Sequence, residues 1–284
     1  MRRLHIVDVF SADPFLGNPV AVVLDAEGLS AAEMQKIARW TNLSETTFVL
    51  PPTVQGADYR LRIFTPRSEL PFAGHPTLGS AHAVFSAGLA SGRSQLIQEC
   101  GAGCVVIIPS HEHSVSKYRF RLPEAVTTAV SATTLAELVA ILGSETDSSR
   151  EPRVIDVGPK WLVAKLPSIK QLLALTPALD AMRSLEESLG ITGVTLYAES
   201  PVGIEVRSFA PSQGVAEDPV CGSGNGAVAV FRRLVGELQI GGRYTAAQGQ
   251  CVGRQGQIEI ELGLEGDVWV GGACVTTLSG SLAG

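Results

Sequence analysis

The sequence predicts an α+β protein of two related halves, each folding a curved sheet around a buried helix, and three observations carry that prediction. First, Arg62, Phe64 and Pro66 recur at the same spacing as Arg207, Phe209 and Pro211. Second, Pro66 stands thirteen residues before Gly79, and Pro211 stands thirteen before Gly224. Third, no formally charged side chain occurs from Pro76 to Ala87. A helix without a solvent face belongs inside the protein, and in a soluble chain of this size a curved sheet is the natural wrapper. A repeat of about 145 residues is too long for a solenoid and argues for two related domains.

Each element has a local cause. Leu4 to Phe10 reads as a first strand, because Asp8 interrupts the apolar run and no small-residue cleavage site follows it. Val20 to Leu24 is strand-like after the Gly17-Asn18-Pro19 turn. Ser30-Ala31-Ala32-Glu33 is a capping box, which opens a helix running to Trp40. Asn42-Leu43-Ser44 ends it, and Glu45 to Leu50 is the next β-branched run. From Tyr59 to Phe64 the alternation puts Arg60 and Arg62 on one face and Leu61 and Ile63 on the other. Pro76 suits a first helical turn, where its missing N–H loses no partner. Gly101-Ala102-Gly103 is a turn joining two strands that end in Cys100 and begin at Cys104. In the second half, Glu205 to Pro211 leads into Glu217-Asp218-Pro219-Val220-Cys221-Gly222-Ser223-Gly224 and a helix reaching Phe231.

Composition narrows the partners. The 284 residues carry a net charge of -6, with 45% hydrophobic and 18% charged side chains, which describes a compact globular chain. Arg2-Arg3 and Arg232-Arg233 are too short to make a nucleic-acid footprint. No apolar run is long enough for a membrane span. Five cysteines without a Cys-x-x-Cys pair point to the reducing cytoplasm. His111-Glu112-His113 offers alternate residues of an extended segment, short of a complete metal site, so no metal is expected. Neither a dinucleotide fingerprint nor a phosphate loop is present, so no cofactor is implied. A small-molecule partner is the default.

Both Gly- and Ser-rich helix starts offer free backbone N–H groups to a carboxylate, or serve as tight turns for close packing. Glu45 sits beside Asn42, Ser44 and Thr46, either as a positioned acid/base or as a solvated turn residue. His75 can donate to a ligand or relay a proton, or satisfy its own turn. Asp218 before Pro219 forms a turn, and as a site residue it would bind an amino or hydroxyl group. Cys221, at a helix start, is set as a thiolate or as a small buried apolar residue. The matching first-half loop holds Ala73-Gly74-His75, so a two-thiol mechanism has no second cysteine.

The strings Asn42-Leu43-Ser44-Glu45-Thr46-Thr47-Phe48, Glu69-Leu70-Pro71-Phe72-Ala73-Gly74-His75-Pro76-Thr77 and Glu217-Asp218-Pro219 through Gly222-Ser223, with Val270-Gly271-Gly272 near the end, resemble the signatures of the phenazine-biosynthesis PhzF-like isomerases. They extend over essentially the whole chain. The resemblance implies a diaminopimelate-epimerase-like fold, a homodimer, no metal and no organic cofactor. It also implies an isomerisation by proton transfer, which in the family's phenazine enzyme acts on trans-2,3-dihydro-3-hydroxyanthranilate. Its acid/base glutamate matches Glu45, its histidine His75, its aspartate and serine Asp218 and Ser223, and its substrate-binding glycines Gly74 and Gly222. Cys221 departs from the threonine of many relatives and is similar to the second cysteine loop of diaminopimelate epimerase.

The expected organisation is therefore an N-terminal domain over residues 1–117 and a C-terminal domain over 118–284, the last strand packing back on the first domain and the active site lying between the halves. The expected activity is a cofactor-independent isomerase of a small carboxylate metabolite. Glu45, His75 and Asp218 would carry the chemistry, and Gly74, Gly222, Ser223 and Cys221 would bind substrate. An epimerase or racemase using Cys221, and a non-catalytic metabolite-binding protein, are the alternatives.

Overall fold

The computed structural model describes residues 1–112 and 115–283. The chain divides into two compact units, one of Met1–Arg121 together with the segment from Gly271 onward, the other of Leu122–Val270.

In the first unit the elements run β1 (Arg2–Val9), β2 (Asn18–Val23), α1 (Ala31–Thr41), β3 (Glu45–Leu50), β4 (Tyr59–Phe64), β5 (Glu69–Leu70), α2 (Gly74–Ser86), β6 (Leu96–Cys100), β7 (Gly103–Glu112) and β8 (Val115–Arg121). The second unit contributes β9 (Val126–Ala129), α3 (Ala132–Leu142), β10 (Arg153–Asp156), β11 (Lys160–Lys165), α4 (Ile169–Ala174), α5 (Leu179–Leu189), β12 (Gly193–Ser200), β13 (Gly203–Ala210), β14 (Val215–Asp218), α6 (Gly222–Leu234), β15 (Arg243–Gln248) and β16 (Gly256–Leu262). The last strand, β17 (Val268–Leu282), runs on into the first unit.

The wiring of the halves repeats. In the first, β1 pairs antiparallel with β2, β2 parallel with β3, β3 antiparallel with β4, β4 parallel with β6, and β6 antiparallel with β7. The second runs through β10, β11, β12, β13, β15 and β16 in the same senses. In each case a short strand, β5 or β14, pairs with the strand before the buried helix. The first unit goes further: β7 pairs with β8, β8 with β17 and β17 with β1, so its series of strands returns on itself.

Helix α2 occupies the interior of that ring, as its lack of charge predicts, and every residue from Gly74 to Val84 is buried. Its polar side chains are matched by the surrounding strands, as buried polar groups must be. Ser80 shares a 2.8 Å hydrogen bond with Thr47, Thr77 accepts one from Gln98, and His82 lies 2.9 Å from the Thr276 hydroxyl. Gly79 allows the close approach, since a Cβ there would stand 2.4 Å from Val20 Cγ1. The amphipathic α1 lies outside, packing Met34 and Ala38 on Phe48 and Phe64. Its Ser30–Glu33 capping box is fully formed, and Asn42 ends the helix in the left-handed conformation.

In the second unit α6 packs against β10, β11, β12 and β16. A separate apolar layer joins α3, α4 and α5 to the sheet through Leu138, Leu142, Leu172, Met182, Leu185 and Leu196. Among the described residues, no helix is long and apolar enough to cross a membrane.

Candidate active site

Each half prepares its helix entrance with the same clamp. Arg62 on β4 grips Glu69 on β5 through two parallel hydrogen bonds of 2.7 and 2.6 Å, while its guanidinium lies 5.1 Å from the Phe64 ring centre. Arg207 on β13 grips Glu217 on β14 at 3.0 and 2.7 Å and stacks 4.9 Å from Phe209. The recurring Arg-x-Phe pattern is thus a structural fork, bidentate at one end and cation–π at the other. It fixes the short strand from which each helix entrance departs.

At the first entrance Glu45 opens β3, just past the left-handed Asn42 cap, and His75 is the second residue of α2. Glu45 Oε2 stands 3.2 Å from His75 Nε2, with both side chains largely shielded from solvent. Burial pushes the imidazole down to about 3, and a hydrogen bond to the Pro19 carbonyl only partly offsets this. The ring is therefore neutral near neutral pH. On its other side, Nδ1 lies 3.4 Å from the amide nitrogen of the buried Asn18. A neutral ring carries one N–H, so its donor and acceptor roles toward Asn18, the Pro19 carbonyl and Glu45 are set by the tautomer. Ala73 gives α2 no side-chain cap, and Pro76 has no N–H, so Gly74 and His75 supply the unclaimed donors of the first turn.

The second entrance is more heavily bonded. Asp218 ends β14 and accepts from the Val220 N–H at 3.0 Å, while its carbonyl accepts from Gln248 at 2.9 Å. The buried Gln248 turns its oxygen to the Cys221 N–H and the Asn225 amide, at 3.1 and 2.7 Å. Cys221 is the N-cap of α6, its sulfur accepting from the Gly224 N–H at 3.3 Å. Trp161 on β11 donates its indole N–H to Ser223 Oγ at 3.1 Å. Burial pushes the Asp218 carboxyl up to about 6 against the pull of the Val220 N–H and the Cys221 thiol. Burial first, and the neighbouring Asp218 charge second, push the Cys221 thiol well above its ordinary value. Burial thus favours the thiol over the thiolate at Cys221.

A family model described as phenazine biosynthesis-like protein matches residues 7–280. The chain belongs to that family. It is 42% identical over 284 residues to antisense-enhancing sequence 1 of Schizosaccharomyces pombe, covering 96% of each chain. It is 37% identical over 255 residues to the trans-2,3-dihydro-3-hydroxyanthranilate isomerase of Pseudomonas chlororaphis, covering 89% of this chain and 88% of that one. The PhzF-family phenazine biosynthesis protein of Bacillus anthracis superposes with a TM-score of 0.88 at 23% identity over 99% of both chains. The fold is the diaminopimelate-epimerase-like one, and the chain is an isomerase of the PhzF family.

Within this PhzF-family chain the expected residues fall into two groups. Glu45, Gly74 and His75 meet at the first entrance, and Asp218, Cys221, Gly222 and Ser223 meet at the second. Reading the sequence missed Asn18, Trp161 and Gln248. Asn18 was visible only as part of a turn, and Trp161 and Gln248 reach the α6 entrance from 62 and 27 residues away without any motif. Of the His111-Glu112-His113 triplet, His113 lies outside the described residues.

Proposed function

We propose that this chain moves a proton within a small carboxylate metabolite without a cofactor, with Glu45 as the acid/base. The observation that carries the reading is the shielded Glu45 carboxylate held 3.2 Å from a neutral imidazole. A carbon beside a carboxylate or conjugated system gives its proton to Glu45, and the resulting carboxylic acid returns it to another carbon of the same molecule. His75 stays neutral throughout and stands beside the carboxylate, 3.2 Å away. The N–H groups of Gly74 and Gly222, with Ser223, hold the anionic end and resist the build-up of charge. Asp218 accepts from an amino or hydroxyl substituent. Cys221, held as a thiol, lines the α6 entrance, and its raised pKa gives a racemase mechanism through that sulfur no support. The protein is expected to work as a homodimer in the cytoplasm, and light scattering at about 30 kDa over a wide concentration range would overturn the dimer.

The test is Glu45→Gln, assayed first on trans-2,3-dihydro-3-hydroxyanthranilate, the substrate named for the Pseudomonas relatives. Glutamine keeps the shape but cannot exchange a proton, so turnover should fall by at least ~100-fold while the fold survives. Glu45→Asp, withdrawn by about one methylene, should recover only part of the rate. A folded Glu45→Gln protein with wild-type turnover ends this mechanism.

A further inference from the structure

Ser223 has one hydroxyl proton to give and two lone pairs to receive with. The Trp161 indole N–H, a donor and never an acceptor, occupies a lone pair at 3.1 Å. The Cys221 sulfur accepts the Gly224 N–H and, 3.7 Å from Ser223 Oγ, is placed to give its own S–H to the second lone pair. Trp161 is almost fully buried, and its place is prepared by its strand partner Gly193, where a Cβ would stand 2.6 Å from the indole Cζ3. The ring therefore has little freedom to release Ser223.

We infer that Trp161 is a positioning residue that makes Ser223 a dedicated donor and so selects a carboxylate oxygen, rather than a hydroxyl or amino group, as the ligand at the start of α6. The inference rests on the assignment of Ser223 to substrate binding and adds to it the chemical sense of the contact. A serine whose two lone pairs are filled by the indole N–H and the Cys221 S–H has only its proton left for the ligand. In that orientation it complements the N–H groups of Gly222 and Ser223, which come before Asn225, whose N–H bonds to the Cys221 carbonyl, and also only donate. The α2 entrance shows no corresponding indole-to-serine contact among the described hydrogen bonds of Gly74 and His75, so the bias belongs to one half of the repeat.

The experiment combines a spectrum of the free protein with a binding titration. Trp40, Trp161 and Trp269 give three indole N–H signals in a proton–nitrogen correlation spectrum, and Trp161→Phe identifies one by its loss. If that variant does not fold, Trp40→Phe and Trp269→Phe assign the signal by elimination. Ser223→Ala should move the Trp161 signal upfield and leave the other two in place; an unmoved signal overturns the inference.

Anthranilate, a stable aromatic carboxylate, is the probe for the titration. Ser223→Ala should weaken it about tenfold and Trp161→Phe about three- to tenfold, the range for one charge-assisted hydrogen bond and its support. The double variant should bind no worse than Ser223→Ala alone, because an indole acting only through Ser223 has nothing left to act on. Additive losses would assign Trp161 a merely structural role and overturn the inference. Weakened binding in Ser223→Ala with unchanged binding in Trp161→Phe overturns it too, while leaving the proposed function standing. Unchanged binding in Ser223→Ala removes Ser223 from the site and takes both readings of that residue with it. Failure of the wild-type protein to bind anthranilate overturns the selection of a carboxylate oxygen at the start of α6.

Discussion

The entrances of α2 and α6 descend from one pattern, yet one is left open and the other is tied shut. At α2 the cap is an alanine, and two titratable side chains, Glu45 and His75, face each other at 3.2 Å. At α6 the cap is a cysteine that satisfies the Gly224 N–H, and Gln248 binds both the loop and the helix behind it. Open donors and a carboxylate–imidazole pair suit proton transfer. Dense hydrogen bonding suits holding a ligand in one orientation. The forks beneath them differ in the same sense: Glu69 is 41% exposed in its side chain and Glu217 only 11%, and Arg207 also donates to the Leu172 and Leu175 carbonyls.

The largest contrast should come from those forks. Glu217→Gln strands a buried guanidinium and should cost on the order of 3 kcal/mol in urea unfolding, whereas Glu69→Gln should cost about 1 kcal/mol or less. Equal losses would mean that the clamps are not differently buried in solution. Next comes the division of chemistry. Cys221→Ser should keep turnover within a few-fold of wild type, against the ~100-fold fall expected of Glu45→Gln. A loss above roughly 100-fold for Cys221→Ser, about 2.7 kcal/mol, would transfer the chemistry to the sulfur.

Helix packing gives a smaller contrast. A methyl at Gly79 meets the branched Val20 and Val9 side chains at 2.4 and 2.9 Å, while one at Gly226 meets the ends of Leu122 at 2.8 and 3.1 Å. Gly79→Ala should therefore destabilise by about 1–3 kcal/mol and Gly226→Ala by less. Matching melting shifts would show that both helices accommodate the methyl equally.

The last contrast is in pH. His75 has a folded pKa of about 3 against 6.5 unfolded, so the unfolded chain binds the extra proton, and stability falls as pH drops from about 6.5 toward 3. Asp218 has a folded pKa of about 6 against 3.8, so the folded chain binds the extra proton, and stability rises as pH drops from about 6 toward 3.8. The two slopes oppose each other, each approaching ~1.4 kcal/mol per pH unit at most. Relative to wild type, His75→Gln should gain stability between pH 7 and 4.5, and Asp218→Asn should lose it. Denaturant midpoints at the two pH values decide the signs.

Much of this was legible because it is local. The Ser30–Glu33 box, the strand from Glu45, the alternation from Tyr59 to Phe64 and the uncharged helix after Pro76 each follow from neighbours within a few residues. The repeat was legible as spacing, but the reason for it was not, because the Arg62–Glu69 and Arg207–Glu217 forks depend on short strands that no periodicity marks. Cys221 shows the limit most clearly. Its sequence neighbours allow a thiolate or a small buried apolar residue, and only the three-dimensional packing that removes water from the sulfur weighs toward the thiol. Gln248 and Trp161 carry no local signal at all, since each acts on a loop that the chain reaches only after folding.

The return of β17 to β1 has a consequence for synthesis. Arg2 pairs with Leu282 and Val9 with Cys274, so β1 is completed by a strand made far later in the chain. The intervening second unit, about 150 residues, takes roughly 7–30 s to emerge at ribosomal rates of ~5–20 residues per second. Throughout that interval β1 and β8 expose unpaired edges, the kind of surface that templates aggregation. The ring thus stays open until β17 is made, and a nascent chain stalled between Arg121 and Gly271 holds a complete inner helix inside a ring with one stave missing.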